Sequence, residues 1–553
     1  MVTISRGFFS AQCLPYHLFA TVDSFRSSVD PPPPVSFSDF VMMMGFKGLI
    51  CFIILLSCLS FSSAEDVKVS IRGATTIART DDNFVCATLD WWPTEKCNYN
   101  QCPWGKAGLF NLDLENKILA SAIKAFNPLR VRIGGSLQDQ VVYKVGNVKK
   151  CTQFKKVEGG LFGFSEGCLP MERWDELNNL FNRTGAKITF GLNALLGRNE
   201  SKTDKGLWVG DWRVDNSRDL MKYNIEKGYK IDSYEFGNEL CGSGVSARVE
   251  AKQYGKDVIA LKNLVRELYP DPKTQPKILG PGGFYEEEWF KTFLKVTGQD
   301  VLDGTTHHIY NLGPGNDPNL ITKIQDPFCL SQIAQTFKDV AKIVEKFAPW
   351  SEAWVSESGG AYNSGGKDVS RTFANGFWYL DQLGMTSKFN HKVYCRQALI
   401  GGNYALLNTS TFVPNPDYYG SSSSMAPAYG KSSNLCNSGC FSTSACPGIS
   451  LLFINLSGEK SFEVTLSNAI DLQVKPNFEF KGYEKREEYH LTPADGNIQS
   501  DVMLLNGNPL KLKGESEIPE MKPTRVDPKT AISVASHSIV YVTIKDFHAP
   551  ACA

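Results

Sequence analysis

The sequence predicts an α/β protein, a (β/α)8 TIM barrel with an appended C-terminal β-sandwich, and three features carry that prediction. Between Phe84 and Tyr404, short apolar segments alternate with longer stretches able to hold helices. After Ile449 the helical period stops and period-two alternation replaces it. Two of the barrel segments also deliver a glutamate into a Gly-containing loop, at the strand end where barrel enzymes gather their chemistry.

The candidate barrel strands are Phe84–Asp90, Val131–Gly135, Lys187–Asn193, Ile231–Glu239, Lys277–Gly282, Gly304–Tyr310, Ala353–Gly359 and Val393–Tyr404. Helix-period stretches such as Trp174–Phe181, Tyr254–Tyr269 and Gln332–Phe347 lie between them. Strict alternation of this kind argues for a parallel sheet, and eight strands close it. Beyond the barrel, Ile449–Leu456, Ser461–Leu466, Asn477–Tyr489 and Ser538–Ile544 read as strands of a sandwich over 449–553. Val67–Ile71 is expected to add a strand to it, although it opens the 65–419 barrel region.

The N-terminus reads as processing signals. Residues 1–43 are irregular, with Pro31–Pro34 among them, and are expected to be an unstructured upstream extension. Met44 to Lys47 then leads into the apolar run Gly48–Leu59 and the small residues Ser62, Ser63 and Ala64. This is the pattern of a secretory signal over 44–64, too short to span a membrane, so Met44 is the expected start and Glu65 the expected mature end. Sequons at Asn182, Asn199, Asn408 and Asn455 agree with secretion, to the cell wall or a lysosome-like vacuole. Of 15 cysteines, Cys13, Cys51 and Cys58 precede the cleavage point, leaving twelve for an oxidising compartment. Cys436, Cys440 and Cys446 have no neighbouring His, which argues against a zinc site. Lys+Arg and Asp+Glu both number 58, which gives no reason to expect nucleic acid or an anionic membrane as partner.

The strongest chemical signal is the pair Glu239 and Glu357. Glu239 ends Ile231-Asp-Ser-Tyr-Glu-Phe-Gly-Asn-Glu, and Glu357 lies in Ala353-Trp-Val-Ser-Glu-Ser-Gly-Gly. A glutamate at a strand end is ordinarily solvated or ion-paired. Two of them at the same mouth of a barrel fit glycoside cleavage, where one carboxyl protonates the leaving oxygen and the other attacks carbon or activates water. Asn238 places an amide beside Glu239, suited to a sugar hydroxyl.

These segments resemble the heparanase-like β-glucuronidases of glycoside hydrolase family 79, and within it the plant heparanase-like group. The resemblance rests on Tyr234-Glu-Phe-Gly-Asn-Glu239, His307-His308-Ile309-Tyr310, Trp354-Val-Ser-Glu357 with Gly359, Gly402-Asn403-Tyr404, and Pro414-Asn-Pro-Asp-Tyr-Tyr419. It implies that Glu239 is the acid/base and Glu357 the nucleophile of a retaining mechanism, with His308 and Tyr310 lining the site. It assigns the uronate carboxylate to the loop after Glu357, which includes Tyr362, and to Gly402 and Tyr404. Asp90 and Ser136 resemble sugar-hydroxyl contacts. No cofactor is implied; a metal at the His307–His308 pair is not expected, because no carboxylate or Cys has ligand spacing beside it. The expected partner is a carbohydrate bearing terminal or internal glucuronic acid. Asn363 and Ser364 stand where animal heparanase has glycines, and their side chains are expected to narrow the pocket against long sulfated chains. The alternatives are a heparanase-type endohydrolase and a non-catalytic wall-associated carbohydrate-binding protein.

Residues 420–448 depart from the pattern. A wall helix should follow the eighth strand, yet Ser421-Ser-Ser-Ser-Met-Ala-Pro-Ala-Tyr-Gly430 has no apolar stripe and carries Pro427 where a helix interior should be. Reading the codons from Ser423 one base later allows Leu-Leu-Trp-His-Arg-Leu-Met, which resembles the family's helix at this place. The segment is therefore expected to be out of frame and irregular, returning to frame before Ile449.

Overall fold

The computed structural model describes residues 64–71, 77–421, 448–468 and 485–545, together with the backbone of 2–4, 9–13 and 17–20. A closed parallel barrel is formed by β1 (Val85–Asp90), β2 (Arg130–Gly134), β3 (Lys187–Leu192), β4 (Ser233–Phe236), β5 (Lys277–Gly283), β6 (Gly304–Ile309), β7 (Glu352–Ser358) and β8 (Tyr394–Arg396). Its helical wall includes α1 (Lys117–Ala125), α2 (Met171–Thr184), α3 (Asp215–Lys227), α4 (Ala251–Leu268), α5 (Glu287–Thr297), α6 (Ala334–Phe347) and α7 (Phe373–Lys388). Local chemistry sets these bounds. Asn116 caps α1 by accepting from the N–H groups of Ile118 and Leu119, and Gly185 and Gly228 end α2 and α3 in left-handed conformations.

Strand alternation sorts the barrel side chains into layers. Cys86, Leu279, Trp354, Val393 and Cys395 form a buried apolar floor inside the barrel. Above Trp354 lies the Arg130 guanidinium, 4.7 Å from its ring centroid and paired with Asp232. The Cys86–Cys395 disulfide ties β1 to β8 across 309 residues and so staples the seam where the first and last strands meet.

The C-terminal region is two sheets. A larger sheet contains Gly448–Asn455, Ser538–Lys545, Arg486–Pro493 and Met503–Leu505; a smaller one pairs Ile532–Val534, Phe462–Asn468 and Glu65–Ile71. Alternate residues of Gly448–Asn455 serve different cores. Ile449, Leu451 and Phe453 pack between the sheets with Val464, Ile532 and Val69, whereas Leu452 and Ile454 belong to the barrel-side core. The α7 start is hydrogen-bonded to this region through Phe373 and Ala374 N–H groups to the Ser500 and Ile498 carbonyls.

Three expectations need correction. Val2–Ile4, Phe9–Cys13 and His17–Ala20 form short strands in the larger sheet, where an unstructured extension was expected. The physical reason is an open edge: Gly448–Asn455 has ladder groups to satisfy, Val2–Ile4 and Phe9–Cys13 pair with them, and His17–Ala20 pairs with Phe9–Cys13. β8 ends at Arg396, and Gly401 and Gly402 follow in left-handed conformations that a continuing strand would not adopt. Gly420 and Ser421, expected to be irregular, are the last described residues of a helix over 416–421, seated by buried Tyr418 and Tyr419. The expected signal segment before Ala64, residues 422–447, and 477–484 of one expected strand lie outside the described residues.

If the β1–β8 staple holds the barrel closed, replacing Cys86 and Cys395 together by Ala should destabilise the fold by about 3–5 kcal/mol, as loss of a long-loop disulfide does. The check is the urea midpoint; an unchanged midpoint would mean that the seam holds without it.

Candidate active site

β4 and β7 bring the two glutamates to one mouth of the barrel. After β4 the backbone turns through Gly237 (φ 72°) and Glu239 (φ 54°), an unusual conformation for a glutamate, fixed by the Glu239 N–H donating to the Gly282 carbonyl at 2.7 Å. Glu357 lies on β7 itself, opposite His308 of β6, just past a register shift between His307 and His308. Adjacent strand residues face opposite ways. His308 therefore enters the mouth, while His307 packs outward, with its Nε2 3.0 Å from His391 Nε2 and its ring against Phe337.

Each glutamate has a different environment. Glu239 Oε1 is 3.0 Å from His308 Nδ1, and burial pushes its carboxyl up to about 7 against the opposing charge of Arg132. Burial likewise lowers His308 to about 4, so the imidazole is neutral at ordinary pH. A protonated Glu239 then donates to Nδ1, which leaves the unpartnered, buried Nε2 of His308 carrying its hydrogen into the site. Glu357 accepts from two sides: Tyr310 OH at 2.7 Å and Arg132 Nη1 at 2.8 Å.

Arg132 organises this cluster. From β2 its Nε donates to Glu235 at 2.5 Å, its Nη1 to Glu357, and its Nη2 to Asn238 Oδ1 at 2.8 Å. Burial alone would lower its pKa, but Glu235 and Glu357 hold it above the ordinary value, so its positive charge is fixed. Asp139 completes the frame by accepting from Asn238 N–H at 2.8 Å and Ala194 N–H at 2.7 Å. The sequence reading missed Arg132, Glu235 and Asp139. A signal was present in Leu129-Arg-Val-Arg-Ile-Gly, where alternate positions of an apolar strand are arginines and must point into the barrel.

The remaining expected residues gather around the pair to different degrees. Asp90 is buried, with Oδ2 accepting from Gln397 at 2.9 Å and Oδ1 unpartnered; burial, then the charge of Glu357, raises its pKa well above the usual carboxylate range. Asn238 Nδ2 is also buried and unpartnered. Such groups aimed into a cleft are suited to sugar hydroxyls. Tyr404 is buried beside Trp104, and its OH is 3.4 Å from Gln397 Nε2. The N–H of Gly402 already donates to the Pro103 carbonyl at 3.3 Å; its glycine is explained by Tyr404, whose ring would lie 2.7 Å from a Cβ there. Ser136 is half-buried after β2, and Tyr362 is exposed at the rim.

Asn363 and Ser364 do not simply crowd the pocket. Both take left-handed backbone and turn toward the Cys97–Cys102 loop: Asn363 Nδ2 donates to Tyr99 OH at 3.0 Å, and Ser364 Oγ donates to Asn98 Oδ1 at 2.8 Å while accepting from Trp104 Nε1. Asn403 N–H donates to the Ser364 carbonyl at 2.7 Å. The loops after β1, β7 and β8 are thereby locked together.

Two further corrections concern ligands and glycans. Carboxylates distant in sequence do stand beside a histidine, since ligand atoms of Glu239, His308 and Glu357 all lie within 4.8 Å of one another. The fixed Arg132 charge on Glu357 opposes a cation there. Among the sequons, Asn182 and Asn199 are exposed and Asn408 is half-buried. Asn455 is 0% exposed, and its Nδ2 donates to the Lys460 and Ala535 carbonyls, leaving no room for a glycan.

Comparison with known proteins identifies the family. Residues 66–384 match the family described as glycosyl hydrolase family 79, N-terminal domain. The chain belongs to that family. It is 49% identical to heparanase-like protein 2 of Arabidopsis thaliana over 540 residues, covering 92% of this chain and 100% of that protein. It is 38% identical to baicalin-β-D-glucuronidase of Scutellaria baicalensis, covering 90% and 97%. Among solved structures, a 4-O-α-L-rhamnosyl-β-D-glucuronidase from Fusarium oxysporum shares the fold, with TM-score 0.54 and 15% identity over 84% of this chain and 97% of that one. This family 79 chain is thus a glycosyl hydrolase of the glucuronidase type.

Arg132→Met should destabilise the family 79 barrel by about 3–5 kcal/mol, because Glu235 would remain as an uncompensated buried charge. Adding Glu235→Gln should restore part of that stability in urea denaturation. A double variant no more stable than Arg132→Met would show that the guanidinium matters for packing alone.

Proposed function

We propose that the chain is a secreted, exo-acting, retaining β-glucuronidase that removes terminal glucuronosyl groups from glycans or glucuronide conjugates. The observation that carries the mechanism is the closeness of the two glutamates, one oxygen of each lying within 4.8 Å of the other. That approach suits the roughly 5–5.5 Å carboxyl separation of a retaining pair better than the roughly 6.5–9.5 Å that seats a water in an inverting one. In the first step a Glu357 oxygen bonds to the anomeric carbon as the glycosidic C–O bond breaks, and Glu239 gives its proton to the leaving oxygen. In the second, water attacks the anomeric carbon and gives a proton to Glu239 as the bond to Glu357 breaks.

The exo reading follows from where the sugar must lie. Glu239 protonates the leaving oxygen, so the leaving group sits toward β4 and β5. β8 and β1 are on the opposite side of the barrel, and the glycone extends toward Asp90 and Tyr404 there. The locked loops after β1, β7 and β8 border that side and favour a chain end over a chain interior. Tyr404 is the proposed donor to the uronate carboxylate. Secretion is supported by three disulfides among the described residues, Cys86–Cys395, Cys97–Cys102 and Cys151–Cys168, and by the exposed sequons Asn182 and Asn199. No described helix is long and apolar enough to cross a membrane.

Proton NMR of the hydrolysis of an aryl β-glucuronide tests the stereochemistry: the β anomer should appear first, and initial α anomer would make Glu357 a general base instead. The pH profile tests Glu239. Its carboxyl is protonated below about 7, so kcat/KM should fall with rising pH above that value. Glu239→Gln should remove this limb while retaining turnover of substrates with good leaving groups, whereas Glu357→Gln should abolish turnover of all. Equal losses in both variants on every leaving group would contradict the assigned roles.

A further inference from the structure

We propose that Phe284 is a stacking platform for a planar aromatic leaving group, so that the preferred substrates are aryl glucuronides; the identity of the sugar rests on the glucuronidase reading above. Phe284 follows β5 directly and is 42% exposed, an unusual position for a phenylalanine beside a buried polar cluster. Its ring centroid is 6.3 Å from that of His308, at an interplanar angle of 78°, and 6.2 Å from that of Tyr310. Those two side chains hold Glu239 and Glu357 respectively. The preceding Gly283 lies so close that a Cβ there would be 3.0 Å from Glu239 Cα, and the Phe284 carbonyl accepts from Cys241 Sγ at 3.3 Å. The backbone carrying the ring is therefore tied to the residue that protonates the leaving oxygen.

Neighbouring groups define the ligand chemistry. Val245, 51% exposed, is held to the same residue by its N–H donating to the Glu239 carbonyl, and adds a second apolar surface. Glu286 caps α5 by accepting from the Trp289 N–H, and Glu287 opens that helix; both are exposed and place negative charge beside Phe284, whereas Glu288 is paired with Lys291. An aromatic face with an acidic border suits a neutral planar aglycone and repels a sulfated chain.

The test is the ratio of kcat/KM for 2-naphthyl β-glucuronide to that for methyl β-glucuronide, measured on the full mature chain and on variants whose melting temperatures match it. Taking the ratio of variant to native cancels the difference in leaving-group reactivity. Phe284→Ala should lower the naphthyl-to-methyl ratio about five- to tenfold, the size of a lost aromatic contact. Phe284→Trp should restore it to within about twofold of native. An unchanged ratio in Phe284→Ala, or a native preference for a sulfated sugar over naphthol as leaving group, would overturn the proposal. If the native chain cleaves 2-naphthyl β-glucoside but not the glucuronide, the glycone reading fails. The same naphthyl-to-methyl ratio on glucosides then decides Phe284 separately.

Discussion

The buried guanidinium of Arg132 is the constraint on which the site depends. Three acceptors from two other strands and one loop converge on it: Glu235, Glu357 and Asn238. A charge so deep in the barrel is tolerable only because it is compensated in place, and the compensation fixes where each partner points. Glu357 is aimed by it from one side and by Tyr310 from the other. Asn238 is held at its side chain by Arg132 and at its backbone by Asp139, so the turn that carries Glu239 has little freedom.

Around that fixed charge the mouth divides into two halves of different chemistry. The half near β1 and β8 is polar and enclosed, with Asp90, Gln397 and Tyr404 linked to one another and the rim loops locked by Ser364. The half near β4 and β5 is open, with Phe284 and Val245 exposed beside the acidic side chains of Glu286 and Glu287. Glu239 stands at the boundary. There burial holds Glu239 up to about 7 and keeps its partner His308 neutral, so one hydrogen bond can serve both protonation states of the carboxyl.

The barrel and its glutamate pair were legible in sequence because both have local signatures. Strand and helix periods alternate, and each glutamate ends an apolar run before glycine. What sequence concealed is contact between distant strands. Nothing near His307–His308 in the chain announces Glu239 or Glu357, yet β4, β6 and β7 bring them together. Ser364 reads as a side chain that narrows the pocket, and only the facing Asn98 and Trp104 show it to be a latch. Gly402 is implied by the resemblance to contact the uronate carboxylate, but its N–H donates to the Pro103 carbonyl. Asn455 satisfies the sequon pattern, and its strand buries the amide against Lys460 and Ala535. The arginines at 130 and 132 were readable in principle: charge at alternate positions of an apolar strand requires buried partners, which Asp232 and Glu235 supply.

The most direct test is to trap the covalent intermediate. A 2-deoxy-2-fluoro-β-glucuronosyl fluoride slows both steps and should leave the sugar attached to the enzyme, where proteolysis and mass spectrometry can locate it. The predicted result is stoichiometric labelling of the peptide containing Glu357, with the bond on that carboxylate. Labelling of Glu239 or Asp90 instead, or time-dependent inactivation with no sugar on any carboxylate, would contradict the role given to the residue that Arg132 holds.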